Sequence, residues 1–145
     1  MSFSGDLLAG VAGRLDEAGA GAYRPPAGPY TADDVAIVFR VLPSAPDTAI
    51  ALATYDLGNS FSLSDSDIGL QLLIRGAVGD PMSDIEIDDA CFDVLHGAWA
   101  VDIGGVHVPS VARISGVSLG PDDRGRFIRT SNYRLQVHRP SPNRT

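Results

Sequence analysis

The chain begins with a segment whose apolar residues recur every four positions: Phe3, Leu7, Val11, Leu15. A repeat of this length places the side chains on one face of a helix. Ser4 or Gly5 is positioned to cap that helix, and Gly19 is positioned to end it. The pattern therefore predicts a first helix over residues 4–19, followed by a proline-containing connector over residues 22–29.

The next three segments alternate between two faces, as β-strands do. Residues 35–42 are apolar on one face and mostly apolar on the other, which predicts a central strand. A proline-containing turn over residues 43–47 leads to residues 48–55, which predict the returning arm of a hairpin. After a polar loop over residues 57–65, residues 68–75 show the clearest alternation and predict a third antiparallel strand.

A second helix is predicted to cover this sheet. Asp80 and Pro81 resemble a helix start, and Gly97 is positioned to end the helix. Its expected apolar face follows helical spacing: Ile85, Phe92, Leu95, Trp99. Its acids are expected near the positive end of the helix dipole and on a solvent-exposed outer face: Asp84, Glu86, Asp88, Asp89, Asp93.

The remainder of the chain predicts two further hairpins. Gly104 and Gly105 lie between two apolar pairs and indicate a tight turn, at which a second sheet segment is expected to begin. Residues 111–119 and 126–138 predict long strands joined by a turn-rich loop. In the last strand three alternating side chains are expected to point inward: Tyr133, Leu135, Val137. Their neighbours are expected on the opposite face: Arg134, Gln136, His138.

Together these elements predict an α+β fold, with a mainly antiparallel sheet of four to five strands, an N-terminal helix and one covering helix. The chain has 145 residues and is expected to form a single domain over residues 1–139, with a flexible tail over residues 140–145. No segment has the length and apolar content of a membrane span, and no signal peptide is predicted.

Charge is distributed unevenly along the chain. Residues 1–123 contain five arginines and eighteen acids, a net charge of −13, whereas residues 124–145 contain six arginines and no acid. An acidic body disfavours tight phosphate binding and repels nucleic acid that passes nearby. The composition therefore argues against a protein whose main body grips DNA.

No group of residues has the spacing of a catalytic or metal site. The chain lacks a G-x-S-x-G nucleophile motif, and its one cysteine, Cys91, is expected in the core. His96, His107 and His138 lack the partners that a zinc site requires. We therefore predict no enzymatic activity, no metal and no cofactor.

Two runs near the end of the chain carry a family resemblance. Residues 119–126 read Leu-Gly-Pro-Asp-Asp-Arg-Gly-Arg, and they are followed by Ser131, Asn132 and Tyr133, then by Arg139 and Pro140. In these runs, and in the order of the predicted helices and strands, the chain resembles the minor capsid or tail-terminator proteins of long-tailed, siphovirus-type bacteriophages. The resemblance spans most of the chain and brings no catalytic residue with it.

The resemblance implies a structural virion protein that forms a homohexameric ring. Such a ring caps the growing tail tube, stops its polymerisation and offers the surface that joins the head. The implied partners are other copies of the chain, the tail tube protein and a head-completion or connector protein, with genomic DNA passing through the lumen without specific binding. The implied location is the head-proximal end of the tail, after assembly in the bacterial host cytoplasm and without a membrane.

This hypothesis assigns roles to three groups of residues. An acidic lumen would let DNA slide, so part of the acidic body is expected to face the channel, either in the 57–65 loop region or on the second helix: Asp56, Asp65, Asp67, Asp84, Glu86, Asp88. Three arginines are expected to contact a neighbouring subunit or the tube: Arg124, Arg126, Arg134. The motif residues are expected to fix turns and loops: Gly120, Asp122, Gly125, Ser131, Asn132, Tyr133.

Three alternatives remain open at this point. A head-completion, stopper or minor capsid protein shares the size, composition and ring habit of a terminator. A nucleic-acid-binding protein would instead use the C-terminal arginines and would show salt-dependent affinity for DNA. A hydrolase is the least favoured, because no complete nucleophile or metal constellation is present.

Overall fold

The computed structural model describes residues 2–25, 28–59 and 64–143, which form an α+β fold of two helices and a six-stranded mixed sheet. The elements are α1 (Phe3–Glu17), β1 (Ala36–Phe39), β2 (Ala49–Asn59), β3 (Asp65–Val78), α2 (Ser83–Leu95), β4 (Trp99–Ile103), β5 (Val106–Pro121) and β6 (Arg126–His138). The strand order is β1-β2-β3-β6-β5-β4, and every neighbouring pair except β1–β2 is antiparallel. Within the described residues, no helix is long and apolar enough to cross a membrane.

Helix α1 confirms the predicted apolar stripe, since Leu7, Val11 and Leu15 are fully buried. The predicted cap was wrong, because Ser2 accepts a hydrogen bond from the Gly5 N–H at 3.0 Å and caps the helix two residues earlier. Gly19 follows the helix end with a φ of +82°, which suits a glycine stop.

Both helices pack on one face of the sheet, and the core lies between them and the central strands. The inward positions of β6 are confirmed, since Tyr133, Leu135 and Val137 are fully buried while Arg134 is exposed. Cys91 on α2 is buried as expected, and burial raises the pKa of its thiol to about 12.

The predicted hairpin of the first two strands was wrong. β1 and β2 run parallel, with Ala36 beside Ala49 and Phe39 beside Leu52, and β1 is an edge strand rather than a central one. A parallel pair needs a connection that returns the chain to its starting end. Because β1 has only four residues, the nine residues 40–48 reach back over that distance without an intervening helix.

The expected second sheet segment is also absent, and the strands number six rather than four to five. The Gly104–Gly105 hairpin is confirmed, but β5 continues from it for 16 residues and joins the same sheet through β6. Pro109 does not end the strand, because it has no register partner on β4 or β6 and its missing N–H costs no ladder hydrogen bond.

The buried face of α2 differs from the predicted one. The helix begins at Ser83 and ends at Leu95, so Trp99 lies in β4, where it is 75% exposed. The face that packs on the sheet instead contains Ser83, Asp84, Ile87, Asp88, Cys91 and Leu95. The predicted solvent-exposed position was therefore wrong for Asp84 and Asp88, which are 2% and 1% exposed.

Candidate interaction surfaces

The turn between β5 and β6 is organised around one carboxylate. Asp122 accepts hydrogen bonds from the backbone N–H groups of Arg124 and Arg126, each at 3.0 Å, and from the Arg126 side chain at 2.9 Å. Gly125 completes the turn with a φ of +76°, a conformation that glycine adopts without strain. The hydrogen bond from the Arg126 backbone is the main cause that lowers the pKa of Asp122, so this carboxylate stays ionised and holds the turn.

The same turn is attached to the connection between β1 and β2. The side chain of Arg126 is 10% exposed and also pairs with Asp47 at 3.1 Å. Arg75 is buried on the adjacent strand and donates to the backbone carbonyls of Pro43, Pro46 and Asp47. Burial lowers the pKa of Arg75, with the nearby Arg126 charge acting in the same direction. Arg126, predicted to contact a neighbour, is therefore engaged within its own chain.

The second motif run lies on two faces of β6. Asn132 faces away from the helices and accepts a hydrogen bond from the Tyr55 hydroxyl at 3.2 Å. The Tyr55 ring crosses β3 at Gly69, where a Cβ atom would come within 2.3 Å of the ring. Ser131 and Tyr133 point into the core, and burial raises the pKa of Tyr133 to about 12.

A buried ionic cluster lies beneath α2 and was not predicted from the sequence. Asp88 pairs with Arg113 of β5 and, at 2.9 Å, with Nε of Arg129 of β6. The signal that could have revealed it is the spacing of Asp84 and Asp88, which places both acids on the helical face of Cys91. Since both carboxylates are buried, Asp84 and Asp88 do not contribute to a channel surface.

The other predicted channel acids lie on strands or on the exposed side of α2. Asp56 lies in β2, and Asp65 and Asp67 lie in β3, rather than in a loop as expected. Residues 60–63 of the predicted 57–65 loop are outside the described residues. Asp56, Asp65 and Glu86 are exposed, whereas Asp67 is half-buried. Asp65 also lies 3.4 Å from Nδ1 of His138.

The C-terminal arginines that the structure describes do not form one continuous surface. Arg126 and Arg129 are engaged in the intrachain pairs above, and the Arg139 guanidinium lies 4.4 Å from the centre of the Phe3 ring. Arg134 is exposed, and the side chain of Arg124 is 60% exposed and 3.7 Å from Asp47. Arg124 and Arg134 are therefore the members of the predicted interface set that solvent can reach.

Comparison with known proteins adds a whole-chain likeness in fold. A solved structure titled "Virion of native gene transfer agent (GTA) particle" contains a chain that matches 94% of this chain and 99% of its own length. The TM-score is 0.67 and the sequence identity is 15%. The two chains share one fold. No protein-family model and no curated protein matches the sequence.

The matched region extends over nearly the whole of both chains. At 15% identity the match does not identify which side chains meet a partner. The groups available for contact are thus defined by exposure in this chain: the acids Asp56, Asp65 and Glu86, and the arginines Arg124 and Arg134.

Proposed function

We propose that this chain is a virion structural protein and, more specifically, a tail terminator. In this role it forms a ring that caps the tail tube, stops tube polymerisation and joins the tail to the head. The observation that carries the proposal is the full-length fold match to a chain of a gene transfer agent virion particle. The resemblance of residues 119–126 and 131–133 to phage tail-terminator proteins supports the finer role.

The charges support a ring through which DNA passes. We assign the acidic lumen to exposed or half-buried carboxylates, namely Asp56, Asp65, Asp67 and Glu86. A negative lumen lets a phosphate backbone slide, because it offers no basic groups to bind. A ring structure with a basic lumen would overturn this assignment.

Arg124 and Arg134 are assigned to contacts with a neighbouring subunit or the tube. Charge reversal at either position is expected to block docking and leave the fold intact, because both side chains are exposed. Arg126→Glu is not a clean test, because it breaks the pairs with Asp122 and Asp47 that hold the turn. Normal tails in particles carrying Arg134→Glu would refute the contact assigned to that residue.

The deciding experiment measures tail length by negative-stain electron microscopy. Particles made with this gene interrupted are compared with intact particles and with particles rescued by a wild-type copy. Over-long or widely varying tubes without heads are expected, because the capping step alone would be missing. Normal-length tails detached from heads would indicate a head-completion protein, and unaffected virions would contradict any role in tail assembly.

Nucleic-acid binding is tested separately by a gel shift over a salt series. Since the described C-terminal arginines are divided between intrachain contacts and separate surfaces, no salt-dependent shift is expected at physiological salt. A tight, salt-sensitive shift would replace the terminator proposal with a nucleic-acid-binding function.

A further inference from the structure

The last part of strand β5 has an uncovered edge. On its outer side β5 pairs with β4 as far as Ser110, and the backbone of Gly97 and Ala98 then hydrogen-bonds to Val111. The backbone N–H of Arg113 donates a hydrogen bond to Nδ1 of His96. From residue 114 to residue 120 no strand pairs with this side within the described part of the chain. We call residues 114–120 the β5 free edge.

The β5 free edge lacks two of the features that commonly prevent strand pairing, namely charged residues and proline. It reads Ile-Ser-Gly-Val-Ser-Leu-Gly, with no charge and no proline. Ile114, Val117 and Leu119 are 45%, 54% and 58% exposed. The strand has one β-bulge between Arg113 and Ser115 and another between Ser118 and Gly120. The extra residues at these bulges are Ile114 and Leu119, and both are apolar. An edge of this composition is a template for another strand.

A second uncovered edge lies on β2. Its pairing with β1 stops at Leu52, and residues 53–59 have no strand on that side among the described residues. Tyr55 and Leu57 are the exposed large apolar residues of this stretch, which we call the β2 free edge. The two free edges have seven residues each, about 24 Å of strand.

The two free edges lie on opposite sides and at opposite ends of the sheet. The β2 free edge adjoins the start of β3, where Tyr55 is beside Gly69, and the β5 free edge adjoins the start of β6, where Val117 is beside Thr130. One copy therefore cannot join its own edges. In the order β2-β3-β6-β5 every step is antiparallel, so β2 and β5 run in opposite directions. A second copy in the same orientation, displaced along the strands so that the two free edges face each other, brings these edges together in antiparallel directions.

We propose that the β5 free edge of one copy pairs with the β2 free edge of the next copy, so that the sheet continues from subunit to subunit. This contact is heterologous, because it joins different surfaces of the two copies, as a closed ring requires. The proposal rests on the ring-forming function proposed above. Continuous pairing supplies partners for backbone groups on both edges and covers the exposed side chains of Val117 and Leu57.

The charges around the two edges agree with this pairing. The β2 free edge contains Asp56 and no basic residue, while the β5 free edge contains no acid. Joining the β2 and β5 edges therefore sets Asp56 opposite an uncharged strand, whereas pairing two β2 edges would bring the acids of both copies together.

The test uses one charged substitution on each edge and a matched control. Val117→Lys and Leu57→Lys each place a lysine where the next strand would lie, and Val78→Lys changes an equally exposed valine at the end of β3. Sedimentation velocity over a concentration series up to the millimolar range is expected to show self-association of the wild type and of Val78→Lys. Each edge variant should raise the dissociation constant by more than about tenfold. Circular dichroism checks that all four proteins are folded.

Mixing the two edge variants decides between modes of pairing. Each keeps one intact edge, and the two intact edges are complementary, so the mixture is expected to form 1:1 heterodimers that neither variant forms alone. Variants with one added cysteine trap the same contact: Val117→Cys and Leu57→Cys should form a disulfide with each other and not with themselves. The native Cys91 is fully buried and does not compete. Disulfide formation by Val117→Cys alone would indicate two-fold β5 pairing and overturn the proposal.

Two other results would also overturn the edge pairing: a wild type that stays monomeric throughout the concentration series, or a Val117→Lys variant that assembles like the wild type. These results do not depend on the tail-length assay. If gene interruption leaves tails unchanged while the edge variants lose self-association, the terminator function fails and the edge contact stands. If the edge variants assemble normally while tails lose length control, only the edge contact fails.

Discussion

Gly10 and Gly13 of α1 test how closely this helix packs against the β4–β5 turn. A Cβ atom on Gly10 would lie 2.3 Å from the backbone N of Gly104 and 2.6 Å from its Cα, so the helix contacts the β4–β5 turn without room for a side chain. The turn is equally restricted, because a Cβ on Gly104 would lie 1.9 Å from the carbonyl oxygen of Asp6. A Cβ on Gly13, one turn along the helix, meets no atom within 4 Å.

Alanine at either position gains about 0.8–1.0 kcal/mol of helix propensity over glycine. Gly13→Ala should keep that gain and raise the melting temperature by about 3 °C. Gly10→Ala must also displace backbone from backbone, an overpacking cost at the upper end of about 1–3 kcal/mol, and we expect a net loss of about 2 kcal/mol and a fall of about 6 °C.

Thermal and urea unfolding, followed by circular dichroism, measure both variants against the wild type. Because the two substitutions are chemically identical, the difference between their stabilities reports the contact of Gly10 with the β4–β5 turn. If Gly10→Ala is as stable as Gly13→Ala, α1 does not lie against the β4–β5 turn and the reasoning is refuted.

Three further predictions concern polar groups at Asp88, Tyr133 and Asp122. Asp88→Asn should lower the free energy of unfolding in urea by about 2–3 kcal/mol, because it leaves Arg113 and Arg129 without their buried counter-charge. The control Asp89→Asn changes an exposed residue and should lower it by less than about 0.5 kcal/mol. Equal effects of the two substitutions would contradict the buried cluster. Tyr133→Phe should change stability by less than about 1 kcal/mol, because the buried hydroxyl makes no well-formed hydrogen bond, whereas Tyr133→Ala should cost about 3–5 kcal/mol. The pKa of Asp122 is lower in the folded state than in the unfolded state, so its contribution to stability is present above the unfolded value of about 3.9 and is lost as the pH falls through the folded value. The urea midpoint of the wild type should therefore exceed that of Asp122→Asn by less and less below about pH 4. A difference that stays constant with pH would refute this role of Asp122.

The elements that could be predicted from the sequence are those whose pattern is local. The four-residue repeat of α1, the alternation in β3 and β6 and the glycine pair of the β4–β5 turn each determine their own conformation. The turn chemistry of residues 120–125 is local in the same way, because Asp122 bonds to groups within four residues of itself.

The features that could not be predicted depend on distant parts of the chain. The direction of β1 relative to β2 is set by the 40–48 connection, which the carbonyl contacts of Arg75, nearly thirty residues later, hold in place. The buried face of α2 was misassigned because acids normally face solvent, and only Arg113 and Arg129 from two other strands make Asp88 tolerable in the core. The periodicity of the α2 sequence gives no information about either arginine.

The residues that carry the family resemblance and the residues available to partners are largely different sets. Asp122 and Arg126 hold the β5–β6 turn, Asn132 fixes Tyr55, and Tyr133 fills the core, so each explains the fold without any partner. At these four residues the resemblance therefore reports shared architecture, as the fold match at 15% identity also does. Specific assembly must depend on exposed groups other than these four residues. For this chain those are the two free edges, with Val117 and Leu57 exposed on them, and the nearby Arg134, which is why the decisive variants are placed there.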